Sequence, residues 1–133
     1  MSSPESEILA YAQQIVDAAK SVVPEIKQYP TMRDAVAVPA IVVLAGEGTF
    51  LNYHQRLDGS SADLFFDVVL LVSRVNELAA QVKLYSWLDP ESELFRAVDA
   101  VVGVRIDEAR NVGDYDVGDS TFWGATWRVS IPA

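Results

Sequence analysis

Cysteine is absent from this chain, and histidine occurs once, at His54. Without thiols there is neither a disulfide nor a thiolate metal site. The lone histidine lies in Asn52-Tyr53-His54-Gln55-Arg56, which reads as the polar face of a strand. No nucleophile or acid stands at triad spacing around it. Glycine-rich phosphate loops are missing as well. Gly46-Glu47-Gly48 lacks the third glycine of a dinucleotide fingerprint and the lysine of a P-loop. Ser60-Ser61 follow a glycine but lack the G-x-S-x-G elbow. There is no basic run: Lys and Arg total 10 against 19 Asp and Glu, a net charge of −9. Sequence-independent nucleic-acid binding needs cations that neutralise phosphates, so this balance argues against DNA binding as the main activity. The longest nearly uncharged apolar run, Ala35 to Gly46, is interrupted by Pro39. It falls short of the roughly 20 residues of a membrane helix. The N-terminal MSSPESEILAYAQQ is acidic and has no basic n-region, so no secretory signal is expected.

What remains is the composition of a folded domain. The 133 residues are 50% hydrophobic and 22% charged. That length predicts one domain, 1–133, with a real core. Ser3 and Pro4 read as the cap and first position of a helix whose apolar stripe is Ile8, Leu9, Ala12, Ile15, Val16, Ala19, Val22 and Val23. Pro24 ends it, and 25–34 reads as a loop. Val36 to Leu44 reads as a strand that Pro39 confines to an edge or a bulge. Gly46-Glu47-Gly48 then turns the chain into a second strand, Thr49 to Leu57, forming a predicted hairpin. After the turn at 58–61, Ala62 to Val72 is apolar at both parities and is predicted to be central. Ser73 caps a helix expected to turn Val75, Leu78, Ala79 and Val82 inward. Asp89-Pro90 starts a second short helix. Val101 to Arg110 reads as a strand and 111–119 as a long turn. The last strand, Thr121 to Ile131, has strict period two, with Trp123, Ala125, Trp127, Val129 and Ile131 on one face. The predicted fold is α+β: an N-terminal helix and two short helices on a mostly antiparallel sheet of four or five strands.

Three groups of residues are candidates for chemistry. Asp114, Asp116 and Asp119 crowd one predicted turn. A calcium loop of the EF-hand type needs glycine sixth and glutamate twelfth. Counted from Asp114, those places hold Asp119 and Ala125, so a solvated turn is the expectation and no metal is assigned. Asp63 and Asp67 share one parity of the central strand, where an unpaired carboxylate is costly. Either arginines such as Arg105 and Arg128 lie alongside, or that face meets a wet subunit interface. A catalytic pair is the third reading. Phe122, Trp123 and Trp127 lack the basic neighbours of a base-stacking surface and read as core or subunit interface.

Ala37-Val38-Pro39, then Asp67-Val68-Val69-Leu70-Leu71-Val72 before a helix, then Ala109-Arg110-Asn111 leading into Gly113-Asp114-Tyr115 and the final strand, together form a pattern over nearly the whole chain. It resembles the tail terminator, or tail completion, proteins of long-tailed bacteriophages. The resemblance implies a virion structural protein, not an enzyme. It would form a ring, typically hexameric, at the head-proximal end of the tail tube. The ring would stop tube polymerisation and join the head connector, and DNA would pass through its lumen unbound. The implied partners are further copies of the chain, the tail tube protein and the head–tail connector; no cofactor and no membrane are implied. Net negative charge suits such a channel. Within that picture Asp114, Asp116 and Asp119 are candidates for an acidic lumen or a partner-facing loop. Pro39, Glu47, Phe50, Tyr53 and Trp123 are candidates for subunit contacts along a sheet edge and hairpin. The alternatives are a head–tail adaptor or tail tube subunit of the same virion. Beyond these stand a small enzyme using Asp63 and Asp67 or His54, and a bacterial binding module.

Overall fold

The computed structural model describes residues 4–29, 37–46, 51–53, 62–74, 77–101, 103–117 and 120–131. Helix α1, Pro4–Val22, ends as Pro24 dictates; the Val23 N–H closes its last turn on the Ala19 carbonyl at 2.9 Å. Among its described side chains Ile15, Val16 and Ala19 are buried; that of Ile8 lies outside the described ones. Leu9, placed on that stripe by its spacing, is instead 69% exposed.

The predicted loop at 25–34 contains a strand, β1, Lys27–Tyr29. It pairs in parallel with β2, Ala40–Ala45, beginning with the Lys27 N–H on the Pro39 carbonyl. Pro39, joined to Val38 by a cis peptide, therefore stands just before β2 rather than inside it. Because β1 covers Ala40–Val42 on its outer side and its register with β4 is unbroken, β2 is neither the outermost strand nor bulged, the two readings that the proline suggested.

Strand β3, Leu51–Tyr53, does not form a hairpin with β2. Both run antiparallel to β4, Ala62–Val72, and lie end to end along it. From Ala45↔Phe66 to Leu51↔Leu64 the β2–β3 line advances six positions while β4 advances two. The connection between β2 and β3, with Glu47 and Gly48, lies outside the described residues. The end-to-end arrangement follows from length: β2 has six residues and β4 has 11, so β2 leaves the start of β4 unpaired and β3 takes it.

Strand β4 is central, as its two apolar parities predict. Its other neighbour is β6, Ser120–Ile131, which pairs with β5, Arg105–Val117. The order is β1-β2-β4-β6-β5, with β3 continuing the β2 line. All strand pairs except β1–β2 are antiparallel. The α+β prediction holds. The predicted long turn at 111–119 does not, because β5 continues through it to Val117, opposite Ser120. What resembled a turn is a bulge: the register shifts between Arg110 and Gly113, and Asn111 takes φ 54°. Asparagine tolerates that left-handed conformation better than most residues.

Helices α2, Glu77–Leu88, and α3, Glu93–Asp99, join α1 on one face of the sheet. Helix α2 turns Ala80, Leu84 and Trp87 inward, not Leu78, Ala79 and Val82, while Val75 lies outside the described residues. Helix α3 starts at Ser92, not at Asp89: the Ser92 hydroxyl accepts from the Phe95 N–H at 3.0 Å and donates to the Trp87 carbonyl at 2.9 Å. One side chain thereby caps α3 and ties it to α2. Trp127 fills the middle of this layer, 1% exposed, with the Phe95 ring edge-on at 5.8 Å. Each aliphatic side chain buried here stabilises the fold by roughly 1.5–3 kcal/mol before entropy is counted. The opposite face carries a smaller apolar cluster built from Ala40, Val42, Val69, Leu71 and Val117.

Candidate functional site

On the face opposite the helices, β4, β6 and β5 bring three charged side chains together. Alternation along β4 puts Asp67 on this face, and Arg128 is its direct register partner on β6. Arg110 reaches the same carboxylate from β5. Its Nη2 donates to both Asp67 oxygens at 3.0 Å, and Arg128 Nη1 donates to Oδ1 at 3.1 Å. The Arg128 guanidinium also lies over the Phe65 ring, 4.7 Å from its centre. Asp67 is only 6% exposed, so the pairing offsets a large desolvation cost. Charge-assisted bonds engage both of its oxygens, making it an anchor between three strands.

The sequence named Arg128 correctly and Arg105 wrongly. Arg105 pairs instead with Asp107 on its own strand at 2.7 Å and is largely exposed. Arg110 takes the expected place because the bulges in β5 change which residues face Asp67. A strand read without bulges gives no signal for it. Asp63 is half-buried on the same parity.

Beside this cluster the Tyr115 and Thr126 hydroxyls are 2.7 Å apart. Burial pushes the Tyr115 hydroxyl above its ordinary pKa, against the opposing pull of the Thr126 hydrogen bond and the Arg110 charge.

Two members of the acidic triplet are strand residues, not loop residues. Asp114 and Asp116 lie on β5, opposite Trp123 and Thr121. Asp114 pairs with Arg74 Nε at 3.0 Å, and Asp116 accepts from the Thr121 hydroxyl at 2.8 Å. Asp119 lies outside the described residues. Among the described residues no three His, Cys, Asp or Glu side chains gather as metal ligands.

Of the proposed contact residues, Pro39, Tyr53 and Trp123 are described. Pro39 lines a surface pocket of about 230 Å³ with Val38, Val72, Ala79 and Lys83. Trp123 is half-buried and lines a recess of about 70 Å³ with Arg74, Ala80 and Gln81. Its indole N–H is buried without an acceptor among the described residues. Tyr53 belongs to β3, paired with Ala62, while Glu47, Phe50 and His54 lie outside the described residues. Ala80 lines both recesses, so Pro39 and Trp123 flank the same part of α2.

The apolar surface that the sequence did not reveal is on α2. Leu78, Val82 and Tyr85 are 72%, 63% and 51% exposed, one turn apart along the outer face of the helix. No helix is long and apolar enough to cross a membrane among the described residues. No protein-family model matches this chain, and no curated protein matches it in sequence.

Proposed function

We propose that this chain is a structural subunit of a phage tail: a tail terminator that forms a ring, hexameric in the simplest form, on the head-proximal end of the tail tube. In this reading the ring stops tube growth and presents its other side to the head connector. The protein works by assembly in the virion, with no cofactor and no catalytic step.

The observation that carries the reading is the C-terminal β5–β6 hairpin. Its strands have 13 and 12 residues, and β5 lies at the end of the strand order with nearly every side chain partly or fully exposed. A long outer strand is a template for strand addition from another subunit. Its charges and two bulges discourage indiscriminate pairing, which is what a ring of defined size requires. The buried Asp67–Arg110–Arg128 cluster adds support. It locks β5 to β6 and β4, so the hairpin is offered to a neighbour as a rigid unit.

The acidic collar takes a narrower form. Asp114 and Asp116 sit on the rigid hairpin, where their charge, repeated around a ring, would repel passing DNA. Changing Asp114, Asp116 and Asp119 to asparagine is expected to slow genome passage while rings still form. Normal DNA ejection from tails capped by that variant would rule out the collar. The test of the function itself is to mix the protein with its tail tube protein and image the tubes. Caps at one end of tubes of fixed length support a terminator. Bare tube ends with the protein bound at the head connector would make it an adaptor.

A further inference from the structure

Helix α2 is apolar on two opposite faces. Ala80, Leu84 and Trp87 are buried in the core, while Leu78, Val82 and Tyr85 face solvent. An exposed apolar helix face of this kind marks an interaction site. From Leu78 to Leu88 it carries a single charge, Lys83, in a chain whose net charge is −9. This is therefore a face that an acidic protein can approach without repulsion.

Helix α1 offers the complementary line. Leu9, Gln13 and Asp17 follow one another four residues apart and are all exposed, and Gln13 Nε2 donates to Asp17 Oδ1 at 2.9 Å. Leu9 is among the few large apolar side chains exposed on the described surface. Eight residues of helix span about 12 Å. Laying α1 parallel to α2 with Leu9 at Leu78 sets Asp17 at Ser86, within one turn of Lys83. Apolar side chains then meet at one end and opposite charges at the other.

We propose that the outer face of α2 docks α1 of a second copy of this chain, Leu9 against Leu78 and Val82, with Asp17 facing Lys83. The contact uses different surfaces on the two copies. Repeated, it propagates around a ring rather than stopping at a dimer. The inference deepens the tail-terminator reading and rests on it for the expectation that the ring closes. One helix pair is smaller than the roughly 1,200–2,000 Å² of a stable interface, so the contact is weak alone and is strengthened by closure or by a template.

The absence of cysteine makes a direct test possible. Leu9→Cys and Leu78→Cys both alter exposed positions and leave the core intact, as circular dichroism would verify. Under mild oxidation of the concentrated protein, the two single variants mixed together should give a crosslinked dimer. Each alone should remain uncrosslinked, and the double variant should give a ladder of multimers. Leu9→Cys mixed with Glu93→Cys is the control and should give several-fold less. Lys83→Glu in the double variant should reduce the ladder several-fold, and adding Asp17→Lys should restore it. Crosslinking of either single variant alone would mean a two-fold contact and overturn the proposal. So would the absence of crosslinks above the control, or failure of the charge swap to rescue. If the ladder forms but the protein never caps tail tubes, the contact stands and the terminator reading falls. If caps form without a ladder, the terminator reading stands and the contact falls.

Discussion

Asp67 and Arg128 are direct register partners in the centre of the sheet, and Arg128 Nη1 donates to the Asp67 carboxylate at 3.1 Å. Cross-strand opposition places the two side chains on the same face, and the second arginine, Arg110, completes the cluster from β5. Removing the carboxylate leaves two guanidinium groups crowded in a partly buried place. Asp67→Ala is therefore expected to destabilise the fold by about 3 kcal/mol, less than a fully buried triad because Arg110 is 30% exposed. Asp67→Asn, which keeps the shape and some hydrogen bonding, is expected to cost less. Urea denaturation measures both. Equal stability of Asp67→Ala and the wild type would remove the cluster as an anchor.

Gly124 marks the tightest approach between β6 and β4. A Cβ there would stand 2.5 Å from the Leu70 carbonyl oxygen and 2.8 Å from Leu71 Cδ2. The carbonyl belongs to the central strand and cannot retreat without disturbing β2 as well. Gly124→Ala should lower stability by about 1–3 kcal/mol through steric overlap alone. A thermal melt unchanged by this substitution would contradict the packing.

Tyr115 gives a pH dependence. Its hydroxyl holds its proton more tightly in the fold than in the unfolded chain, chiefly through burial. Below the unfolded tyrosine pKa of about 10 its contribution is fully present. As pH rises from there through the folded pKa it is lost, because the unfolded chain gives up the proton first. Stability should fall above pH 10, and Tyr115→Phe should make that fall shallower. At neutral pH the same variant should cost about 1 kcal/mol for the bond to Thr126. Parallel stability–pH curves above pH 10 would show that Tyr115 does not contribute.

The parts of the fold written plainly in the sequence are those where one local rule acts alone. Strand β4 is apolar at both parities and is covered on both faces. Strand β6 alternates over its whole length, and its Trp127 side goes to the core. Pro4 and Pro24 bracket α1. Where two rules competed, the structure chose differently. Asn111 and Gly113 carry turn chemistry, yet pairing with β6 holds them in a bulged strand. Lys27-Gln28-Tyr29 has no strand pattern and becomes one only by pairing with β2. Helix α2 has two apolar faces, and periodicity cannot say which of them meets the sheet.

The candidate surfaces were less legible for the same reason. Asp67 stood out as an acid in an apolar strand, and Arg128 followed from strand opposition. Arg110 depended on a register shift that no local signal announces. Asp114 and Asp116 looked like turn residues because aspartate and glycine favour turns. Of their partners, Thr121 faces Asp116 across the end of the hairpin, while Arg74 comes from a distant part of the chain.

Closure of several copies into a ring that ends a tail tube is the property on which the proposed function stands or falls. It is tested by the particle mass in solution, with electron micrographs of the same sample, alone and mixed with the tail tube protein. A single closed ring, alone or formed on one end of each tube, is the expected result. Open-ended tubes made by this protein alone, or monomers that ignore tube ends, would contradict it.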